Sequence, residues 1–214
     1  AAAGICVAAA LVRAVARRES PFIGNFWVDL VRSTLYLLFP LSLILALCLI
    51  SQGVVQNFNP YRAITLVEPL SVETPKIDAA GHPIHDAQGK PILETHTIRD
   101  QIIVQGPVAS QEAIKQLGTN GGGYTNANSA HPYENPTPLS NFLEMLAILL
   151  IPSGLTYYYG RAVRNQGHGW SLWAAMAVLL LMGMAVCWHA ESHGNPRLTA
   201  LGIEMHDGNM EGKE

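Results

Sequence analysis

The chain has 214 residues, of which 49% are hydrophobic and only 14% are charged, and its formal net charge at pH 7 is −3. This composition excludes a basic nucleic-acid-binding protein, because no stripe of lysine and arginine interleaved with aromatic residues is present. The low charge and high apolar content favour a membrane protein instead.

Three apolar segments are each long enough to cross a bilayer. They run over residues 28–50, 139–159 and 170–190. The first segment has charged residues only near its start, the second has Glu144 as its one charged residue, and the third contains no Asp, Glu, Lys or Arg. A helix needs about 20 residues to span a hydrocarbon core of roughly 30 Å. Three such segments in one small chain predict three membrane helices.

The chain opens on a further apolar helical run, residues 1–18. Three arginines stand at its end: Arg13, Arg17 and Arg18. A secretory signal peptide carries its positive charges before the apolar run, so we interpret this run as the end of a truncated membrane helix. The chain starts without Met and ends on Lys213 and Glu214, and we therefore expect a fragment of a longer protein.

Basic residues predict the orientation in the membrane. Arginines flank or occupy two short connections, residues 19–26 and 161–169. Short connections that are rich in Lys and Arg stay in the cytoplasm. Two regions are then expected on the outer side, residues 52–138 and 191–214.

The first part of the long outer region does not favour a helix. Residues 57–104 are polar and contain five prolines, which break any long helix. Residues 77–84 and 85–92 form a small repeat with Asp and Gly at matched offsets. These residue types favour turns, so the repeat predicts two successive turns in a small hairpin excursion.

A short helix is predicted over residues 107–117. Its opening proline suits the first turn of a helix, Val108, Ile114 and Leu117 can share one face, and Gly118 can end the helix in a left-handed conformation. About ten helical residues span only ~15 Å, which is too short to cross a bilayer but suits a re-entrant helix. The C-terminal end of such a helix directs a partial negative charge toward an ion within the membrane.

The glycine-rich run over residues 118–123 directly follows this helix. Irregular backbone at membrane depth must be buried in protein or line water, and glycines leave carbonyl oxygens open to a dehydrated cation. In a soluble protein the same run would indicate a phosphate site. Thr119 can add an oxygen ligand, and Asn120, Asn126 and Asn128 can pin the return segment through bonds to the backbone.

Other site chemistries have less support in the sequence. The chain contains no nucleotide-binding glycine motif, no His-Glu-x-x-His motif and no Gly-x-Ser-x-Gly turn. His131 and Glu134 could form an acid/base pair, but their loop is rich in Pro and Asn and favours structural roles. Glu144 is a carboxylate within a membrane segment, which leaves a functional and a structural role open.

Several segments together carry a family signature. They are residues 106–115 (GPVASQEAIK), 118–123 (GTNGGG), 126–132 (NANSAHP) and 134–137 (ENPT), with further matches at residues 27–30, 52–58 and 209–214. They closely resemble the KdpA family, the potassium-binding subunits of bacterial Kdp potassium-transporting ATPases, over nearly the whole chain. The sequence departs from the family pattern in a longer proline-broken stretch at residues 68–100, and at Thr125, where an aromatic residue is common.

The resemblance implies an all-α membrane protein with a potassium-channel-like fold of four pore repeats, each built as helix, pore helix, filter loop and helix. The chain would carry the end of the first repeat (1–18), a cytoplasmic connection (19–26), the whole second repeat (27–160), a second connection (161–169), the first helix of the third repeat (170–190) and an outer loop (191–214). Within the second repeat we expect a membrane helix (27–51), an outer loop (52–106), a pore helix (107–117), a filter (118–123), a return loop (124–138) and a membrane helix (139–160).

The resemblance also implies a site. Its potassium-binding filter residues would be Thr119, Asn120, Gly121, Gly122 and Gly123, and its supporting residues Asn126, Asn128 and Glu134. The ion would be extracellular potassium, selected by backbone carbonyls. No organic cofactor and no metal other than potassium is expected.

The implied partners are those of an ATP-driven uptake complex in the bacterial inner membrane. They would be the P-type ATPase subunit KdpB, which hydrolyses ATP, the subunits KdpC and KdpF, the remaining repeats of the full-length chain and the lipid bilayer, but not nucleic acid. The chain by itself would not be an enzyme. Two alternatives remain: a membrane-embedded enzyme using His131 and Glu134, and a structural membrane subunit whose glycines permit close helix packing.

Overall fold

The structure is a computed structural model that describes residues 1–17, 22–76, 84–85, 90–125 and 129–192. It divides into two compact units. We call Ala1–Gln56 together with Pro107–Glu214 the helical unit, and Asn57–Gly106 the hairpin unit. The candidate site lies entirely within the helical unit.

The helical unit contains six α-helices and one π-helical segment among its described residues. They are α1 (Ala2–Ala16), α2 (Phe26–Arg32), the π segment (Ser33–Leu38), α3 (Phe39–Ser51), α4 (Val108–Gly118), α5 (Pro138–Ala162) and α6 (Gln166–Ser192). Three helical stretches are long and apolar enough to cross a membrane: Phe26–Ser51, Pro138–Ala162 and Gln166–Ala190. These stretches coincide with the three apolar segments of the sequence.

The first stretch is one continuous rod made of α2, the π segment and α3. Asn25 caps its start, because its side-chain oxygen accepts hydrogen bonds from the N–H groups of Trp27 and Val28. Pro40 follows the π segment within a turn and has no N–H to donate, so regular α-helical bonding is interrupted there. Near the start of the rod, Asp29 accepts hydrogen bonds from Arg13 of α1.

Helices α5 and α6 form a tight antiparallel pair. Thr137 and Ser140 make a reciprocal capping box at the start of α5. At the other end a three-residue connection, residues 163–165, leads directly into α6. A Cβ atom built on Gly169 would lie 2.8 Å from the carbonyl oxygen of Thr156 and 3.1 Å from Cα of Gly160. The two backbones therefore touch where both helices carry glycine.

The hairpin unit corrects the expectation of an all-α fold. Strands β1 (Arg62–Pro75) and β2 (Leu93–Ile103) pair antiparallel, with an irregularity between Thr65 and Leu70. The prolines exclude a helix here, while Ile, Val and Thr at frequent positions suit a strand. The two turns predicted at residues 77–84 and 85–92 fall between these strands, and most of them lie outside the described residues. The chain is mostly helical, not all-α.

Candidate functional site

The N-terminus of α4 is held by the segment that follows α3. Pro107 occupies the capping position but offers no side-chain hydrogen bond. The N–H of Ala109 donates to the carbonyl of Val55 at 2.9 Å, and the N–H of Ser110 donates to Oε1 of Gln56 at 2.9 Å. Two of the N–H groups that a helix start leaves unpaired are thereby satisfied, and α4 is fixed at its first turn.

The C-terminus of α4 opens directly into the glycine-rich run. The left-handed residue that ends the helix is Thr119, with φ 46° and ψ 39°, and not Gly118 as the sequence predicts. Gly118 remains the last helical residue, and a Cβ built on it would lie 3.0 Å from Nδ2 of Asn120. Two residues further on, Gly121 has φ +70°, a conformation that glycine adopts without strain.

The run from Thr119 to Gly123 is exposed, and its carbonyl groups accept no hydrogen bond from the part of the chain that the structure describes. All five residues are exposed. Among the described residues, none donates a hydrogen bond to a carbonyl oxygen of this run. Open carbonyl oxygens directly after a helix C-terminus, where the helix dipole adds partial negative charge, are suited to binding a cation.

The side chain of Asn120 shapes the backbone of this run. Oδ1 of Asn120 accepts a hydrogen bond from the N–H of Gly122 at 3.0 Å, a local turn that leaves the carbonyls outside the bond. Asn126 and Asn128, which the sequence also marks as supports, lie outside the described residues. The role predicted for them stays a prediction.

The buried face of α4 carries charge. Glu112 is fully buried and Lys115 is 3% exposed, whereas Ile114 is 55% exposed. The apolar face predicted from Val108, Ile114 and Leu117 is therefore wrong at Ile114, because polar partners from the return loop occupy the inner side of the helix. Nζ of Lys115 lies 2.6 Å from Oε2 of Glu112.

Glu134 joins this charged face to the filter strand. It is fully buried, and its Oε2 lies 3.2 Å from Nζ of Lys115. Its other oxygen, Oε1, accepts hydrogen bonds from the N–H groups of Tyr124 at 3.1 Å and Thr125 at 2.9 Å. The carboxylate of Glu134 therefore bridges α4 and the two residues that follow Gly123; its predicted role as filter support stays a prediction.

The ionised form of Glu134 is favoured in this setting. Burial alone would raise the pKa of its carboxyl group. The hydrogen bond from the N–H of Thr125 and the nearby ammonium of Lys115 outweigh burial and lower the pKa below its ordinary value. The carboxylate is therefore charged and paired under ordinary conditions.

Two neutral residues complete the connection between α4 and the return loop. Nε2 of Gln116 donates to Oε1 of Glu112 at 2.6 Å and also to Oγ of Ser129. Ser129 in turn donates its hydroxyl to Oε1 of Glu112. We call the buried set Glu112, Lys115, Gln116, Ser129 and Glu134 the support cluster.

A third buried carboxyl group faces the support cluster from α5. Glu144 is 3% exposed, and its Oε1 has no hydrogen-bond partner among the described residues. Its carboxyl group lies close enough to Glu112, Lys115 and Glu134 to interact with them electrostatically. Glu144 of α5 therefore places one more acid next to a cluster that already contains two.

The acid/base alternative finds no matching geometry. Nδ1 of His131 accepts a hydrogen bond from the N–H of Tyr133 at 3.2 Å, and the two rings lie against each other. Glu134 contacts the backbone of His131, but in the described part of the chain no hydrogen bond or ion pair joins their side chains. Each side chain has a structural partner of its own.

Two cavities flank the end of α4. One of about 530 Å³ is lined by Leu117 and Thr119 together with α1, α5 and α6. The other, of about 300 Å³, is lined by Gly118 and Asn120 together with the rod around Phe39. The described residues include no group of three or more His, Cys, Asp or Glu that could hold a metal ion.

The sequence contained a signal for the support cluster. Glu112 and Lys115 are three residues apart on a helix expected at membrane depth, where charged side chains must find partners inside the protein. That rule points to a buried ion pair. The third member, Glu134, lies 19 residues further along and was marked only through the family resemblance.

Comparison with known proteins gives a single family. The profile described as "KdpA: Potassium-transporting ATPase A subunit" matches residues 1–214. Curated relatives named potassium-transporting ATPase potassium-binding subunit include those of Geotalea uraniireducens (56% identical) and Geobacter sulfurreducens (57% identical), each over all of this chain. A relative from Janthinobacterium sp. is 53% identical. The chain spans 36% of the length of the first two relatives.

Proposed function

The chain belongs to the KdpA family, and from that premise we propose that it forms part of the potassium-binding, channel-like subunit of an ATP-driven potassium uptake complex. Its relatives are named as potassium-binding subunits of a potassium-transporting ATPase. The chain contributes the ion-contacting strand and its support, and not the chemistry of ATP hydrolysis.

One observation carries the proposal: the exposed strand Thr119–Gly123 presents carbonyl oxygens that accept no hydrogen bond from any described residue. In a membrane such a strand is tolerated only where it lines a water-filled or ion-filled path. Potassium exchanges its hydration shell for carbonyl oxygens of this kind. The α4 C-terminus adds a partial negative charge next to the ion.

One strand supplies only part of an ion site. A channel-like filter surrounds the ion with several strands, so the proposal places the other pore repeats of the full-length chain around residues 119–123. The glycines are exposed in this chain, as expected for a strand that faces a shared axis. A glycine loop that served only close helix packing would lie against a neighbouring helix instead.

The proposal extends to the assembly. We propose that potassium enters from the outer side of the bacterial inner membrane and passes to a separate P-type ATPase subunit, KdpB, with KdpC and KdpF completing the complex. Arginines flank the short connection 19–26 and lie within the short connection 161–169, and they support this orientation because such connections stay in the cytoplasm.

The test is a bulky replacement in the filter strand. We expect Gly122→Phe in the complete complex to abolish or strongly weaken potassium-stimulated ATP hydrolysis, because a large side chain enters the shared site. Gly183→Phe is the matched control, since nothing lies within 4 Å of a Cβ built on Gly183 of α6. Potassium dependence that is unchanged in Gly122→Phe would refute the filter assignment.

A further inference from the structure

We propose that Lys115, paired with Glu112, is a positioning residue that sets the ion discrimination of the filter by acting through Glu134. The inference rests on the proposed function, because it takes residues 119–123 as the ion-contacting strand. It goes beyond that proposal by locating a determinant of discrimination behind the strand, in side chains that never touch the ion.

The connection from Lys115 to the filter is continuous. Its ammonium group lies 2.6 Å from Oε2 of Glu112 and 3.2 Å from Oε2 of Glu134. Oε1 of Glu134 accepts hydrogen bonds from the N–H groups of Tyr124 at 3.1 Å and Thr125 at 2.9 Å. These are the first two residues after Gly123. A change at Lys115 thus reaches the filter backbone through one carboxylate.

Charge makes Lys115 the centre of the cluster. Two buried carboxylates, those of Glu112 and Glu134, lie 2.6 and 3.2 Å from its ammonium group. Lys115 is the one cation that the described residues bring among them. Buried like charges repel strongly unless a counter-ion is hydrogen-bonded between them. Without the ammonium group, the carboxylate of Glu134 would be pushed away from α4.

A displacement of Glu134 has a specific consequence for the filter. The N–H groups of Tyr124 and Thr125 are hydrogen-bonded to that carboxylate and move with it, and the strand is also fixed at Thr119 and by the Asn120 side chain. Discrimination between cations of similar charge depends on the number and placement of carbonyl ligands. A strand held at only one end no longer keeps that placement.

The decisive variant keeps the cluster's net charge. Lys115→Met combined with Glu112→Gln removes one positive and one negative charge, so the net charge is unchanged while Glu134 loses the ammonium group beside its Oε2. In the complete complex we expect the apparent KM for potassium in ATP hydrolysis to rise about tenfold and the preference for potassium over sodium and rubidium to fall. Because the filter carbonyls remain present, kcat at saturating potassium should change less than KM.

Two controls separate positioning from folding. Lys76→Met with Glu94→Gln makes the same chemical changes at exposed positions of the hairpin unit and should leave KM and discrimination unchanged. Gln56→Ala removes the side chain that holds Ser110 at the far end of α4. It should lower the yield or thermal stability of the complex without changing ion preference.

The outcomes are separable. If the double variant assembles and has a lower kcat but the same KM and ion preference as the unaltered complex, the cluster only stabilises the fold and the inference is overturned. If the double variant does not assemble, Lys115→Arg serves instead, because it keeps the positive charge but changes the geometry of the pair with Glu134; an unchanged ion preference there overturns the inference too. Failure of the proposed function is detected separately, as potassium-stimulated ATP hydrolysis that is unchanged in the Gly122→Phe complex.

Discussion

The left-handed backbone at Gly121 allows a substitution that strains the backbone without causing a steric clash. Its φ is +70°, and nothing lies within 4 Å of a Cβ built on it. Gly121→Ala therefore introduces no collision but forces an alanine into a conformation that L-residues avoid. The penalty for an L-residue in this region is roughly 1–2 kcal/mol.

That strain can be relieved if the filter strand moves out of its conformation. Potassium binding must then restore the strand, and the strain energy is subtracted from the binding energy. One to two kcal/mol corresponds to roughly a 5- to 30-fold loss of affinity. We expect the apparent KM for potassium in ATP hydrolysis by the complete complex to rise within this range.

Gly122→Ala is the matched control at the adjacent position. Gly122 does not have a positive φ, and a Cβ built on it meets only Oδ1 of Asn120 at 3.4 Å, an ordinary contact. The same added methyl group should therefore raise KM much less than in Gly121→Ala. Equal effects of the two substitutions, or a larger effect at Gly122, would contradict the strain argument.

Two further predictions concern stability. Because the pKa of Glu134 is lowered, its ionised form stabilises the fold at pH values above the ordinary pKa of 4.5, and this stabilisation is lost as pH falls through the lowered pKa. The unfolding temperature of the complex, measured between pH 7 and 3, should therefore depend less on pH in Glu134→Gln than in the unaltered complex. The same pH dependence in both complexes would contradict this prediction. Gly169→Ala places a Cβ 2.8 Å from the carbonyl of Thr156 and should destabilise the α5–α6 pair by about 1–3 kcal/mol. Gly183→Ala should not lower the unfolding temperature, and similar losses in both glycine variants would refute the packing argument.

The apolar segments could be located from the sequence because hydropathy is a local property. A run of about 20 apolar residues needs no knowledge of its neighbours to be recognised. The three helical stretches, beginning at Phe26, Pro138 and Gln166, accordingly coincide with the segments expected from composition. Their ends differ by a few residues, since capping by Asn25 or by Thr137 depends on local geometry that hydropathy does not contain.

The outer region was harder to predict. Its prolines excluded a helix and its repeated turns indicated a hairpin, yet the family resemblance led to an all-α expectation. The pairing of β1 with β2 satisfies backbone groups over strands separated by a long excursion, and such pairing is not visible in residues taken one segment at a time.

The sequence by itself determined that this protein is a membrane protein, that a short helix precedes a glycine-rich strand, and which family it belongs to. Only the tertiary structure decided what stands behind that strand. Glu112 and Lys115 would suit a solvated helix face, and they become a buried support because the return loop brings Glu134 back against them. The physical reason is that hydropathy and glycine content act locally, whereas a buried charge is stabilised by a partner that the fold must bring from a distant part of the chain.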